Sequence, residues 1–360
     1  MALTISATDV ELPKPVNSVF IQTFLRRARV LCPYFVGTKP GMIEKNSGTL
    51  TAKWRRFTNL ATAITPLAEL AVEASYMQGR SAAALAVTDI TATVAKYGNF
   101  VILNEESSMV NFNGQTDEIF DVMGENAGHT LDQLQRNEVE DNSTLVYAGG
   151  NTADANQDSA ITRSALQSVI NTLSKNSAKT FTPRNAGSNR VGSTPVLPGF
   201  WGITHPDVAI DIADMAGFKG VETYAGHVST VMGEFGLIQA GGLAVRFIQT
   251  EDASVDAGAG PVIGSTGLNG TTNVDLYTTV IFGREAVGSL GFGKRHTDGS
   301  FEAGDELGPV EIIHNALGTG KTSDPFKEIE TIAWKAWHIP KILNTTWIRG
   351  IRSGATKLNT

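Results

Sequence analysis

The sequence predicts an α+β fold, and three observations support this prediction. Hydrophobic side chains make up 41% of the 360 residues and charged side chains 18%, so the chain has enough apolar material for folded cores. Several short segments alternate apolar and polar residues as strands do, and two longer segments have the spacing of amphipathic helices. The length exceeds what one hydrophobic core fills, so more than one subdomain is expected.

Residues 1–45 are predicted to form an N-terminal arm with a short helix. Pro13 and Pro15 oppose regular structure ahead of this helix, and Pro33 is expected to end it. The first residues lack a basic start followed by an apolar stretch, so we expect no secretory signal and a soluble, intracellular chain. No segment approaches the ~20 uninterrupted apolar residues of a membrane span.

Residues 46–100 are predicted to contain two strands that flank a long insert. Apolar and polar residues alternate around Trp54, and they alternate again around Ile90 and Ala92. The insert between them is rich in alanine and threonine. A two-stranded excursion is marginally stable in water by itself, so we expect it to lean on another surface.

A long helix is predicted over residues 115–141. Its apolar stripe has helical spacing and consists of Ile119, Met123, Ala127, Leu131 and Leu134. Acids occupy many of the other positions and are expected to face solvent. A polar linker over residues 142–159 and a shorter helix over residues 161–173 are expected to follow.

The rest of the chain is predicted to consist mainly of strands separated by glycine-rich turns. Strand-like runs cover residues 200–204, 243–248 and 276–282. Near the C-terminus, apolar residues alternate over residues 332–336. Pro340 is expected to interrupt this strand, and a last strand is expected over residues 342–348.

Basic and acidic residues are segregated along the chain. The net charge of −7 has the wrong sign for a protein whose whole surface binds nucleic acid, so any DNA contact must be local. Residues 14–56 nevertheless hold nine basic residues and one acid, whereas residues 105–158 hold twelve acids and one base. These stretches are either two separate solvated faces, or a basic segment that lies on an acidic one of the same chain or of a neighbouring copy.

We interpret the clustered charges as subunit ion pairs. The candidate interface residues are Arg26, Arg27, Arg29, Trp54, Arg55, Arg56, Glu118, Asp121 and Glu125. Two alternatives stay open for the basic members and Trp54. They could contact nucleic acid through phosphates and stacking, or they could be ordinary surface.

The motifs predict no catalytic residue, cofactor site or metal site. The single cysteine, Cys32, excludes an intrachain disulfide and a cysteine-cluster metal site. The run that contains Lys321 and Thr322 resembles a phosphate loop. However, Asn315 occupies the place of its first glycine, and Asp-Pro follows where a helix should begin, so we interpret it as a loop.

We also interpret two arrangements of possible metal ligands as ordinary surface and not as metal sites. Glu125, His129 and Asp132 would share one helix face, but they lack a second ligand motif. Residues 154–158 imitate the start of a calcium loop, but Ser159 replaces the glycine at its turn. We therefore expect an exposed helix face and a solvated linker.

Nine short segments between about residues 46 and 350 carry a family resemblance. They are GTLTAKWRRF at 48–57, VAKYG at 94–98, TLD at 130–132, FWGITHP at 200–206, GEFG at 233–236, VRFI at 245–248, FGREA at 282–286, IAWKAW at 332–337 and ILN at 342–344. In this order they resemble the major capsid proteins of tailed bacteriophages and prophages, which have the Hong Kong 97 fold. The enquatrovirus-type branch is the most similar.

The resemblance implies a domain organisation. Residues 1–45 would be the arm and residues 46–100 the extended loop that laps a neighbouring subunit. Residues 101–145 would belong to the peripheral domain with its spine helix, and residues 146–325 to the axial domain. Residues 326–360 would be strands that return to the peripheral domain. Residues 250–275 and 294–320 look like insertions.

The resemblance also implies a function. The chain would be a non-enzymatic shell protein that self-assembles into pentamers and hexamers of an icosahedral phage head enclosing double-stranded DNA. Its partners would be copies of itself, a portal, scaffold or decoration proteins, and packaged DNA held without sequence specificity. It would be located in the virion capsid after assembly in the host bacterial cytoplasm. A shell protein of an encapsulin-like compartment and a nucleotide-binding enzyme that uses Lys321 are the alternatives.

Overall fold

The computed structural model describes most of the chain from Cys32 onwards. The described residues are 32–44, 48–58, 60, 62–64, 85–110, 115–185, 195–224, 231, 233–264, 266–293, 310–317, 326 and 328–358. The predicted arm helix lies outside these residues, and so do Arg26, Arg27, Arg29 and Lys321.

Strands and helices are mixed along the described chain, which confirms the α+β prediction. The strands are β1 (Lys39–Glu44), β2 (Thr51–Phe57), β3 (Val87–Thr93), β4 (Ala95–Asn104), β5 (Thr144–Tyr147), β6 (Gly199–Thr204), β7 (Phe218–Gly220), β8 (Glu234–Ala240), β9 (Leu243–Gln249), β10 (Val255–Asp256), β11 (Leu276–Phe282), β12 (Val287–Gly293), β13 (Val310–Asn315), β14 (Ile329–Ile342) and β15 (Ile348–Ser353). The α-helices are α1 (Glu105–Val110), α2 (Gln115–Asp141), α3 (Arg163–Lys175) and α4 (Pro206–Ala213).

An eight-stranded sheet forms the larger body. Its order is β5-β15-β11-β6-β9-β8-β7, and β10 pairs with β11. Side chains of α3 and α4 pack on one face, and Val139 of α2 packs with Tyr34 on the other. Because both faces are covered, β6 and β11 are buried at every position, which explains their continuous apolar sequences.

Helix α3 follows the sequence prediction closely. Its N-terminal cap is Thr162, whose hydroxyl accepts a hydrogen bond from the Ala165 amide at 3.4 Å. Leu166, Ile170 and Leu173 occupy one face and are buried against the eight-stranded sheet. The predicted helix and its apolar register are therefore confirmed.

A five-stranded sheet forms the second body, with β14 at its centre. Strand β4 pairs with one edge of β14, while β12 and β13 pair with the other edge of β14. Helix α2 has the predicted bounds and packs its apolar stripe against one face of this sheet. Buried members of this core are Phe120, Met123, Ala127, Leu131, Leu103, Ile332, Trp334 and Ala336.

Two predictions near the C-terminus are wrong. Pro340 does not interrupt β14, which continues to Ile342. Past His338 the strand has lost its partner β4, and proline is tolerated where one edge of a strand is unpaired. The last strand is β15 rather than residues 342–348, because Asn344 accepts a hydrogen bond from the Thr346 amide at 3.2 Å and caps a 3₁₀ turn there.

The predicted polar linker over residues 142–159 is also incorrect in part. It contains β5, which pairs in parallel with β15 from Thr144 opposite Arg349 onwards. The partner strand lies about 200 residues away in sequence, so local composition does not reveal it. Asp154 in the same segment forms an ion pair with Arg352. Its carboxylate therefore has a structural role and not the calcium-binding role that the loop pattern imitates.

Strands β2 and β3 form the predicted antiparallel hairpin. Their pairing runs from Thr51 opposite Thr93 to Phe57 opposite Val87. At the base of the hairpin, Ala92 is buried in a small cluster beside the five-stranded sheet. The domain limits implied by the resemblance stay predictions.

Three of the nine family-like segments meet in the eight-stranded sheet. Arg246 of β9 lies opposite Trp201 of β6, and its guanidinium is 4.5 Å from the Trp201 ring. The same guanidinium bonds to both carboxylate oxygens of Glu234 at 2.7 Å, and this ion pair is almost fully buried. The three segments therefore build one buried structural ion pair.

Candidate assembly interface

The two faces of β2 have different surroundings because side chains alternate along a strand. Trp54 faces the body of its own chain, since a Cβ at Gly41 would lie only 2.9 Å from the Trp54 ring. Arg56, two residues on, donates a long hydrogen bond of 3.5 Å to the Leu343 carbonyl. The structure therefore places these two candidate interface residues on the inward face.

The opposite face of the hairpin is exposed and carries excess positive charge. Lys53 Nζ lies 3.1 Å from Asp89 Oδ2, and Arg55 Nε lies 3.0 Å from Asp89 Oδ1. The hydrogen bond from Arg55, followed by that from Lys53, lowers the pKa of Asp89, so its carboxylate is ionised at neutral pH. Two cations thus share one anion on this outward face.

The half of the hairpin remote from the buried Ala92 exposes large apolar side chains. Ile64 is 87% exposed and Phe57 is 57% exposed, and Leu60, Leu85 and Val87 are exposed as well. Contiguous exposed apolar side chains are uncommon on monomeric soluble proteins and mark interaction surfaces. We call these five residues the hairpin tip.

The three candidate acids lie in the first half of α2. Glu118 is exposed, and Asp121 and Glu125 are half-buried. Their spacing places them along one side of the helix. Of the two described arginines, Arg55 pairs with Asp89 and Arg56 contacts the Leu343 carbonyl, so their pairing with these acids stays a prediction.

Two other acids of α2 contradict the prediction that its acids face solvent. The Tyr34 amide donates to Asp132 at 2.9 Å, and its hydroxyl donates to Glu140 at 2.6 Å. Burial raises the pKa of both carboxyl groups. Both acids are buried because the chain around Tyr34 packs on this side of the helix.

A loop from the eight-stranded sheet contacts the same helix. Asp252 Oδ2 lies 2.7 Å from His129 Nδ1, and the Asp252 carbonyl accepts from Arg136 at 2.6 Å. The Ser254 hydroxyl donates to Glu140. Glu125, His129 and Asp132 were predicted to share one exposed face. Instead, His129 contacts this loop and Asp132 is buried. Across the described segments, no three His, Cys, Asp or Glu side chains are arranged to hold a metal ion.

The five-stranded sheet has an apolar surface that was not predicted from the sequence. Val101 and Leu103 of β4 face α2, whereas Phe100 and Ile102 point to the opposite side and are 63% and 52% exposed. We call Phe100 and Ile102 the open sheet face. The run of four apolar residues was the available signal, because continuous apolar strands are typically covered on both faces.

Comparisons with known proteins identify the fold. No family model matches the chain, and no curated protein matches it. Among solved structures, the capsid of Ralstonia phage GP4 has a TM-score of 0.60 and 11% identity, and the match covers 91% of this chain and 93% of that chain. The head of Helicobacter pylori bacteriophage KHP40 has a TM-score of 0.54 and 12% identity, with 91% of each chain covered.

A third match is the capsid of cyanophage Pam1, with a TM-score of 0.52, 12% identity and 87% of each chain covered. The predicted resemblance to Hong Kong 97-type phage capsid proteins is confirmed at the level of the fold. The enquatrovirus-type branch stays a prediction.

Within the described ranges, no helix has both the length and the apolar composition to cross a membrane.

Proposed function

We propose that the chain is a structural shell subunit that self-assembles into pentamers and hexamers of an icosahedral phage head around double-stranded DNA. One observation carries this proposal. The hairpin tip and the open sheet face are both apolar and exposed, although the rest of the described chain has well-buried cores. A second copy of the chain would bury both surfaces, and the fold shared with phage capsid chains supports this arrangement.

The outward face of the hairpin and helix α2 also complement each other in charge. The outward face of the hairpin carries Lys53 and Arg55 against one carboxylate. Helix α2 covers the face of the five-stranded sheet opposite the open sheet face, and it carries Glu118 and Asp121. We infer that the hairpin of one copy, within residues 46–100, laps the β4 edge of its neighbour's sheet, from which both the open sheet face and the acidic helix can be reached.

The overall charge suits a container for nucleic acid. A shell must hold a densely packed polyanion without binding it tightly, and the net charge of −7 opposes tight adhesion. DNA contacts on the inner surface would be local and independent of sequence. A portal and scaffold or decoration proteins would be further partners, and the assembled protein would be located in the virion after assembly in the host cytoplasm.

The test is negative-stain electron microscopy of the full-length chain expressed alone, with size-exclusion chromatography beside it. Closed shells or hexameric sheets tens of nanometres across are expected. A chain that stays monomeric or dimeric at every concentration tested would contradict self-assembly. The nucleic acid and protein content of recovered particles distinguishes a DNA head from a compartment that encloses proteins.

A paired variant sharpens this experiment. Phe100→Asp places a charge on the open sheet face and is expected to abolish particles while the subunit stays folded, because the side chain lies outside the cores. Val262→Asp is the control, since Val262 is also exposed but belongs to neither surface. Loss of particles in both variants, or in neither, would argue against the open sheet face as the contact.

A further inference from the structure

A cavity of about 580 Å³ lies between the second half of β2 and the body of the chain. Its walls come from the end of β2, the start of β1, the segment that follows α3 and the turn that follows β14. We call it the root cleft. Its volume is within the range of sites that hold small molecules.

Positive charge dominates the root cleft. Lys39, Arg55, Arg56 and Lys179 line it, and Glu285 is the one acid among the lining residues that the structure describes. Arg55 belongs to the outward ion pair with Asp89. Lys39, Arg56 and Lys179 are therefore the cations that can act inside the cleft.

The carboxylate of Glu285 is shared among several cations. Lys179 Nζ lies 3.1 Å from Glu285 Oε2, and this bond is the main cause of the lowered pKa of Glu285. Lys39 and Arg284 lower the pKa further through their charges. Within the described chain, no carboxylate pairs with Arg56, whose contact is the carbonyl of Leu343. The cleft thus has cationic donors in excess of its own anion.

Two of the segments that line the cleft are joined by hydrogen bonds. Trp347 Nε1 donates to the Asn176 carbonyl at 3.0 Å, and Asn176 Nδ2 donates to the Thr346 carbonyl at 3.2 Å. The Lys179 ammonium lies 5.8 Å from the centre of the Trp347 ring. A donor positioned by such contacts loses little freedom when it binds a ligand.

We propose that the root cleft binds a small anion that carries two or more phosphate groups. An arginine fork and lysine ammonium groups are the usual donors to phosphate oxygens. Arg56 is on the hairpin, whereas Lys39 and Lys179 are on the body, so one anion would bridge the two parts. Binding would fix the angle at which the hairpin leaves the body. This inference stands independently of the proposed shell function.

The test is isothermal titration calorimetry on the full-length chain with three probes. Inorganic triphosphate is expected to bind with a Kd below 1 mM, and ATP should bind similarly because the phosphates supply the contacts. A short oligothymidylate tests the other source of phosphate groups, a nucleic acid backbone. If the oligonucleotide binds and triphosphate does not, or if no probe binds, the proposal is overturned.

Three variants assign the binding to the cleft. Lys39→Gln combined with Arg56→Gln should weaken triphosphate binding at least tenfold. Lys53→Gln is the matched control, because it removes a cation from the same strand but on the outward face. Glu285→Gln should tighten binding, since it removes the competing carboxylate. Unchanged affinity in the double variant, or weaker affinity in Glu285→Gln, would overturn the assignment.

Discussion

The eight-stranded sheet and the β2–β3 hairpin are built from strands of similar length but are covered to different extents. Every residue of β6 and β11 is buried, because helices and the chain around Tyr34 cover both faces of that sheet. In β2 and β3, Ala92 is the buried residue and most others are exposed. The first region is therefore stabilised by its own cover, whereas the second buries little of its surface within the described chain.

The five-stranded sheet is intermediate between these two regions in how far its faces are covered. Helix α2 covers one face and produces a buried core, but the open sheet face on the other side has exposed Phe100 and Ile102. The apolar surface of the described chain is therefore partly buried in cores and partly exposed. The exposed part is the surface that the proposed contact between copies would bury.

The largest expected effect comes from shortening the hairpin. Replacement of residues 60–84 by an Asn-Gly turn should leave a folded subunit, because the described contacts of the hairpin with the body, at Trp54 and Ala92, lie outside this segment. The same change should abolish particles. Circular dichroism and electron microscopy measure the two outcomes, and normal particles would contradict the assignment of this segment to subunit contacts.

Substitution of one phenylalanine in the eight-stranded sheet and one in the hairpin tests the difference in burial between these two regions. Phe247→Ala removes a buried ring from the core under α3 and should lower the free energy of unfolding by about 3–5 kcal/mol. Phe57→Ala at the hairpin tip should change it by less than about 0.5 kcal/mol, because the ring is mostly exposed. Urea denaturation of unassembled subunits gives both values. Equal losses would mean that the hairpin is part of the subunit core.

A further predicted effect depends on pH. His338 is buried beside Phe35, and burial lowers its pKa to about 4. At pH values between about 4 and 6.5, this histidine binds a proton more readily in the unfolded chain than in the folded chain. Stability should therefore fall as pH decreases from 6.5 towards 4, by up to about 3 kcal/mol for this group.

His338→Gln isolates this contribution, since glutamine does not titrate in that range. Asp132 and Glu140 act in the opposite direction, because burial raises their pKa values and protonation at low pH favours the folded state. Unfolding free energies of both proteins at pH 6.5 and 4.5 give the difference. An equal loss in the variant would show that another group causes the acid sensitivity.

Local sequence patterns predicted the elements whose periodicity is regular. The stripe from Ile119 to Leu134 gave α2 its bounds, and the apolar run at residues 276–282 coincides with β11. For the candidate interface, the sequence identified the charged groups but not their faces. Arg55 points outward and Arg56 inward, and this distinction depends on which side of β2 meets the body.

The sequence by itself determined the α+β class, the long helix, the hairpin and the segregation of charge, because periodicity and composition act over a few neighbouring residues. Only the tertiary structure decided which surfaces are covered. Asp132 and Glu140 are buried because Tyr34, about 100 residues earlier, packs on them. Phe100 and Ile102 are exposed because no described element covers their side of β4. Such contacts join residues far apart in sequence, so local patterns do not contain them.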